Sequence, residues 1–501
     1  MNQTTIESDL KSIWQAGVDS VKPRNLIRNR LRIDANSICF GSESSGFERL
    51  IDFDGDQKLW VVGAGKASAA MAISLDREIL QTFTRQRPNL TVGGWINCPE
   101  QAGLPESTDS GIKLFQARPA GMNAPTEKAI EGTRRILSLI ENADPNDIVI
   151  SLISGGGSAL LTAPAEGLTL DDKQLVAKRL AAAGANIEQL NCVRRAISRV
   201  KGGGLARQCR AGRLAAIMIS DVLGDSLETI ASGPTYLPSS VSSSDALDVL
   251  TKLGLDQDAP LRPVVNFLKS ATVKQTAERS VSLSEAELSG PHITHSILGN
   301  NAEAVERARL EAIARGYDCV TSCAEQCEGD VTTLADETVA ALRGNLSAQK
   351  PTCLITGGEP TVTLPPSPGK GGRNQQLTGE VLIRIRSALN TLTDADEKDT
   401  FPLAGSHSAP FASGQTIGFL SGGTDGEDGP TDAAGAYFCD TLGGLRQMPT
   451  GGLDDLRRSL SKADTYDFFD RAGYLLKSGP TGTNVCDLRV TLIVPPHGGV
   501  G

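Results

Sequence analysis

One theme recurs along this 501-residue chain: a short, almost wholly apolar run ends in a glycine-rich polar loop, and a helical pattern follows. Residues 59–62 run into Gly63-Ala64-Gly65-Lys66 and then an alanine-rich helical pattern over 67–80. Residues 147–154 close on Gly155-Gly156-Gly157. A helix starts near Thr169, with Asp171 and Asp172 in its first turn, where the helix dipole favours carboxylates. Residues 214–220 end at Asp221, and the runs 91–96, 294–298, 318–323, 353–356 and 416–421 read as further strands. Strands with no polar alternation are covered on both faces, which predicts a mostly parallel sheet flanked by helices. Further helices are predicted over 5–19, 125–143 with Pro125 at or near the first position, 300–315, 328–342 and 376–385. The less regular stretch 255–292 marks a domain junction, so the expected domains are 1–270 and 290–501. Residues 394–413, polar and weakly periodic, read as an exposed insertion.

Composition narrows the function classes. The net charge is −10, and no basic stripe interleaved with aromatics is present, which argues against a nucleic-acid partner. No run of 18 apolar residues and no basic leader with an apolar core occur, so a membrane span is not expected and the expected compartment is the cytoplasm. The ten cysteines are scattered and read as reduced thiols. Cys319, Cys323 and Cys327 lack a CxxC pair, and the four histidines lack a zinc-ligand spacing. The 53 glycines cluster in the strand-end loops, where close backbone approach to a ligand explains them.

Each loop offers its own chemistry. Gly63-Ala64-Gly65-Lys66-Ala67-Ser68 is neither standard nucleotide loop. Ser68 stands where the dinucleotide fingerprint needs glycine, and Trp60 and Ala67 stand where a Walker A loop needs glycine and a hydroxyl. Lys66 is either a point charge on a transferring phosphoryl group or an exposed lysine in a tight turn. Ser154-Gly155-Gly156-Gly157-Ser158 reads as a cradle for nucleotide phosphates, and the order of residues is not a serine-nucleophile elbow. Asp221, just past a strand, can hold Mg²⁺, accept a proton from a hydroxyl, or shape a turn; Asp225 shares the loop and Gly233 the following one. Arg194, Arg195, Arg199 and Lys201 are either a solvated face or a phosphate-facing helix end. Arg373, in Gly369-Lys370-Gly371-Gly372-Arg373, offers a planar fork to a carboxylate or phosphate. The loop from Gly422 to Gly429, with Asp425 in it, could ligate a cation or bond substrate hydroxyls, but it lacks the EF-hand spacing.

Taken together, VVGAGKASAAMA at 61–72, LISGGGSALLTAPAEGLTLDDK at 152–173, SRVKGGGLA at 198–206, ISDVLGDSLETIASGPT at 219–235, TGGEPTV at 356–362, GKGGRNQQ at 369–376 and GGTDGEDGPTDAAGA at 422–436 resemble the glycerate 2-kinase family with a C-terminal MOFRL domain. The resemblance implies an α/β fold of two domains: a Rossmann-like one with a mostly parallel sheet and helices on both faces, then a MOFRL-type α/β domain, with the active site in the cleft between them. It implies transfer of phosphate from ATP, with Mg²⁺ or another divalent cation, to the 2-hydroxyl of D-glycerate. Lys66, Asp221 and Arg373 are the implied catalytic residues. Ser154, Gly155, Gly156, Gly157, Ser158 and Gly233 would bind the nucleotide, Lys66, Arg373 and Asp425 the substrate, and Asp221 and Asp225 the metal. The expected partner is a small molecule, and the expected state a monomer or homodimer. Alternatives are a kinase for another small sugar acid and an NAD(P)H-dependent hydroxypyruvate reductase; the missing acidic ribose ligand counts against the reductase. Where the family reads Gly-His-Pro-x-Pro-Asp, this chain has Ala117-Arg118-Pro119 and then Gly121-Met122-Asn123-Ala124-Pro125-Thr126.

Overall fold

A computed structural model describes residues 3–55, 57–119, 122, 124–237, 242–280, 292–395, 415–441 and 452–496, so the expected insertion at 394–413 lies almost wholly outside the described residues. The chain packs into two units, Pro23–Leu298 and Met1–Lys22 with Gly299–Gly501.

Pro23–Leu298 opens with an antiparallel meander of β1 (Leu31–Asp34), β2 (Ser37–Ser42) and β3 (Gly46–Asp52). Its main sheet contains β4 (Lys58–Ala64), β5 (Thr91–Pro99), β6 (Ile112–Arg118), β7 (Ile148–Ser154), β8 (Arg213–Ile219) and β9 (His292–Gly299) in the order β6-β5-β4-β7-β8-β9. The pairs from β6 through β8 are parallel. The chain therefore moves outward from β4 to β6 and then returns to the other side of β4 with β7. Val62, Ala64, Val149, Ile153, Leu214, Ala216 and Met218 share one core with Ile136, Leu137 and Ile140 of the helix Glu127–Glu141. Thr126 caps that helix, its Oγ1 accepting the Ala129 amide, so Pro125 lies just ahead of the cap and the first helical residue is Glu127. The expected helix over 67–80 is α-helical over Ser68–Leu75 and widens to a π-helical turn over Asp76–Leu80. A satellite core joins Val176 and Leu180 of Leu170–Ala182, Val193 of Ile187–Ala196, and Leu250, Val264 and Leu268.

The second unit has a mixed sheet of β10 (Asp318–Cys323), β11 (Thr352–Gly358), β12 (Thr416–Gly423), β13 (Gly435–Thr441), β14 (Leu475–Leu476) and β15 (Asp487–Val494), ordered β10-β11-β15-β12-β13-β14. Only β10 and β11 pair in parallel. β15 enters antiparallel between β11 and β12, so its first residue, Asp487, sits opposite Gly358 and Gly423. Leu488, Val490, Leu492 and Val494 alternate onto a face covered by Ile6, Leu10, Ile13 and Trp14 of the helix Gln3–Ser20. The other face is covered by Val331–Gly344 and Arg373–Ala395. No helix among the described residues is long and apolar enough to cross a membrane.

Candidate active site

Because β4 and β7 are adjacent and parallel, the loops at their carboxyl ends meet where the strand order reverses, the position at which open α/β sheets bind ligands. The Lys66 amide donates to Gly155 O at 2.8 Å and the Ala67 amide to Ser154 Oγ at 2.9 Å. Ser68 Oγ donates to Leu152 O at 3.1 Å, which accounts for a serine where a dinucleotide loop carries glycine. Gly156 stands at φ +72°, and a Cβ there would meet the Lys66 side chain at 3.2 Å and the Arg118 guanidinium at 3.3 Å. The strand-end backbone thus lies bare beside two cations. Arg118 comes from the last position of β6, is buried, and donates to Met122 O.

β8 delivers the half-buried Asp221, followed by Asp225 at φ +53°, a left-handed conformation that Asp tolerates. Among the described residues no three His, Cys, Asp or Glu side chains are grouped to hold a metal ion. A set of one or two carboxylates fits magnesium that draws its other ligands from phosphate oxygens and water.

Beside this corner, Gly202 N–H donates to Ser232 O at 2.9 Å, Gly203 N–H to Gly233 O at 2.7 Å and Leu205 N–H to Pro234 O at 3.1 Å. These bonds pin three successive residues with positive φ: Ala231 at 50°, Ser232 at 66° and Gly233 at 62°. For the two non-glycine residues that conformation costs roughly 1–2 kcal/mol each. It brings Ser232 Oγ to 3.1 Å from Ser158 Oγ. The buried Lys201 Nζ donates to Ser158 O at 3.0 Å, to Ser158 Oγ and to Ser232 Oγ at 3.4 Å. Lys173 is also buried and donates to Thr162 Oγ1 at 3.1 Å. Burial, and then the charge of Arg194, push Lys173 down to about 8. Burial, then Lys173 and Arg194, hold Lys201 well below the ordinary lysine value. Of the basic residues singled out at 194–201, Arg195 and Arg199 form surface pairs with Glu228 and Glu141, whereas Arg194 and Lys201 turn inward.

In the other unit, Arg373 begins the helix Arg373–Ala395. Its Nε and Nη2 fork onto Asp487 at 2.7 and 3.0 Å, and its Nη1 reaches Glu359 Oε1 at 2.7 Å. Burial opposes the guanidinium's charge, but Asp487 and Glu359 outweigh it and raise Arg373 above its ordinary value. With three bonds made, two of the five N–H donors of an arginine remain, and the side chain is 34% exposed. Asp428 is buried and accepts the Asn374 amide at 3.0 Å and the Gln375 amide at 2.9 Å, capping the helix. Burial pushes Asp428 up to about 6 despite those two amides. Asp425 accepts the Glu427 amide at 3.0 Å, and a Cβ on Gly423 would meet Asp425 Oδ1 at 3.1 Å and Asp487 Oδ1 at 3.5 Å. Asp425, Asp487, Glu359 and Arg373 therefore share one corner of this unit.

Residues 9–269 match the family described as a domain of unknown function, DUF4147, and residues 352–487 match the MOFRL family. The glycerate kinase of Bos taurus is 33% identical over 532 residues, covering 97% of this chain and 92% of that protein. This chain belongs to the glycerate 2-kinase family. The D-glycerate 2-kinase of Thermotoga maritima is 34% identical over 394 residues, covering 77% of this chain and 82% of that protein. A crystal structure of a Thermotoga maritima glycerate kinase aligns with a TM-score of 0.69 and 26% identity, over 98% of this chain and 100% of that one. A crystal structure of a Pyrococcus horikoshii protein aligns with the same TM-score and 27% identity, over 98% and 99%.

Within this family member, the structure brings Lys66 to the Ser154–Ser158 loop, and Gly233 to the segment that carries Lys201. Sequence reasoning left Lys173, Glu359 and Asp487 without roles. Lys173 had a usable signal, since it falls on the same helical face as the buried Val176 and Leu180. Asp487 had none: nothing local says that its strand is inserted between two others.

Proposed function

We propose that the chain transfers the γ-phosphoryl group of ATP to the 2-hydroxyl of D-glycerate, giving 2-phosphoglycerate and ADP. The observation that carries this reading is the meeting of Lys66 with the Ser154–Ser158 glycine loop at the reversal of strand order, in a chain of this family. The bond from the glycerate 2-oxygen to phosphorus forms as the bond from phosphorus to the bridging oxygen of ADP breaks, and the hydroxyl proton passes to a phosphoryl oxygen and on to water. Such transition states are loose and need charge placement more than a strong base. Lys66 neutralises charge on the transferring oxygens, and Arg118 adds a second cation beside the same loop. Asp221 and Asp225 would hold the magnesium that enters with ATP, which supplies further neutralisation of the phosphates. The two N–H donors that Arg373 keeps beyond Asp487 and Glu359 take the glycerate carboxylate, and Asp425 accepts from a glycerate hydroxyl. Among the described residues the ten cysteines form no disulfide, which fits a reducing compartment, and we place the enzyme in the cytoplasm.

A coupled assay tests the reaction: ADP release should require both ATP and D-glycerate. Phosphorus NMR of the product should show 2-phosphoglycerate. Oxidation of NADH with hydroxypyruvate, and no ADP release, would assign the chain to a reductase instead.

A further inference from the structure

Behind the Ser154–Ser158 loop, Lys173, Arg194 and Lys201 converge. Lys173 and Lys201 are 8% and 4% exposed, and Arg194 is half-buried. No carboxylate among the described residues pairs with any of the three; burial dominates the electrostatics of all three, and neighbouring positive charge adds to it at Lys173 and Lys201. The nearby acids are committed elsewhere: Glu228 pairs with Arg195, Glu141 with Arg199, and Asp172 caps its own helix. Buried charge of one sign without a counter-charge is costly, and proteins keep it where a ligand supplies the opposite sign. The arrangement is built rather than incidental. Lys173 is turned inward on the helix face that carries Val176 and Leu180, and Lys201 begins the segment that pins the strained residues 231–233.

We propose that this cluster is the positive floor of a phosphate-binding site that opens at Ser158, and that its occupant is the polyphosphate of the nucleotide. The proposal rests on the kinase reading above. The three donors of Lys201 are directed at Ser158 O, Ser158 Oγ and Ser232 Oγ, so Lys201 acts through Ser158 and is a positioning residue. A hydroxyl that accepts from an ammonium keeps its own proton to donate. Ser158 and Gly156 are both half-buried, so this hydroxyl and the left-handed glycine reach the surface of the same loop. Three cations match the several negative charges of a polyphosphate better than the single charge of glycerate.

Calorimetric titration of ADP and of adenosine into the full-length protein tests this, using Lys201→Met, Lys201→Arg and Lys173→Met. In Lys201→Met the ADP affinity should fall on the order of tenfold to a hundredfold, with adenosine affinity changed less than about twofold. Lys201→Arg should recover most of the loss. In the wild type, ADP binding at pH 8 should take up protons, seen as a dependence of the heat on buffer ionisation enthalpy, and Lys173→Met should reduce that uptake. The proton measurement needs no variant and stays decisive if Lys201→Met does not fold. An unchanged ratio of ADP to adenosine affinity in a folded Lys201→Met, an absence of proton uptake, or a loss of glycerate rather than ADP affinity would overturn the proposal while leaving the kinase reading in place. A wild type that binds neither ATP nor ADP would overturn both.

Discussion

Lys66 contributes to the fold through its backbone, since its amide bonds Gly155 O, while its side chain lies over Gly156. Removing that side chain leaves the backbone bond to Gly155 in place. Lys66→Ala should lower kcat by about a hundredfold to a thousandfold, the usual cost of losing one preorganised charge at a reacting centre, in a protein that still folds. Near-normal turnover would remove Lys66 from the mechanism. Asp487 is the complementary case, a residue that touches no reacting atom and holds one that does. Its carboxylate accepts from two N–H groups along one edge of the Arg373 guanidinium. Asp487→Asn should loosen that fork, raising KM for glycerate several-fold more than it lowers kcat; a change in kcat alone would contradict the assigned role. Lys66 was legible in the sequence because it lies inside a local strand–loop–helix pattern. Asp487 was not, because its meaning depends on a strand pairing made over more than 60 residues.

At the scale of elements, the glycine loops were legible and the strand directions were not. A continuous apolar run declares burial on both faces but carries no information on which way the strand points. The first six-stranded sheet is parallel from β6 to β8, as the theme suggests, while the second pairs mostly antiparallel around β15. The same limit hid the function of the 422–429 loop. It reads as a cation or hydroxyl binder, yet one of its carboxylates, Asp428, is spent on the start of the helix Arg373–Ala395. Asp428→Ala should cost about 1–2 kcal/mol in urea unfolding, the range for a lost helix cap. The folded value of about 6 lies above the ordinary aspartate value of 3.8, so the folded state takes up this proton first as pH falls. The penalty for burying the ionised group is full above pH 6 and is relieved as pH drops toward 3.8. The stability of wild type relative to Asp428→Asn should therefore increase between pH 7 and 4.5. A gap that is constant with pH, measured from urea midpoints, would show that Asp428 is not ionised in the way its burial requires.

At the scale of the whole molecule, the first helix belongs with residues 299–501. An amphipathic pattern over 5–19 names a helix and its apolar face, but not the surface that covers it. The covering surface is β12 and β15 of the second unit, where Trp14 is buried and its Nε1 donates to Gly422 O at 3.3 Å. Deleting residues 1–22 would expose Leu488, Val490 and Leu492, which that helix covers. Trp14→Ala is the gentler test and should cost about 3–5 kcal/mol, the range for truncating a large buried aromatic. The loss should fall on one unit: a calorimetric scan should show the transition of the unit holding residues 299–501 moving down by several degrees. ADP is expected to bind the other unit, at the Ser154–Ser158 loop. At about a hundred times its dissociation constant it should stabilise that unit by about 2.7 kcal/mol in both proteins. If Trp14→Ala lowered the ADP-responsive transition instead, the division of labour between the units would be wrong. Moving only the ADP-insensitive transition would place the N-terminal helix with the part of the chain that carries Arg373, far from it in sequence and joined to it through the sheet.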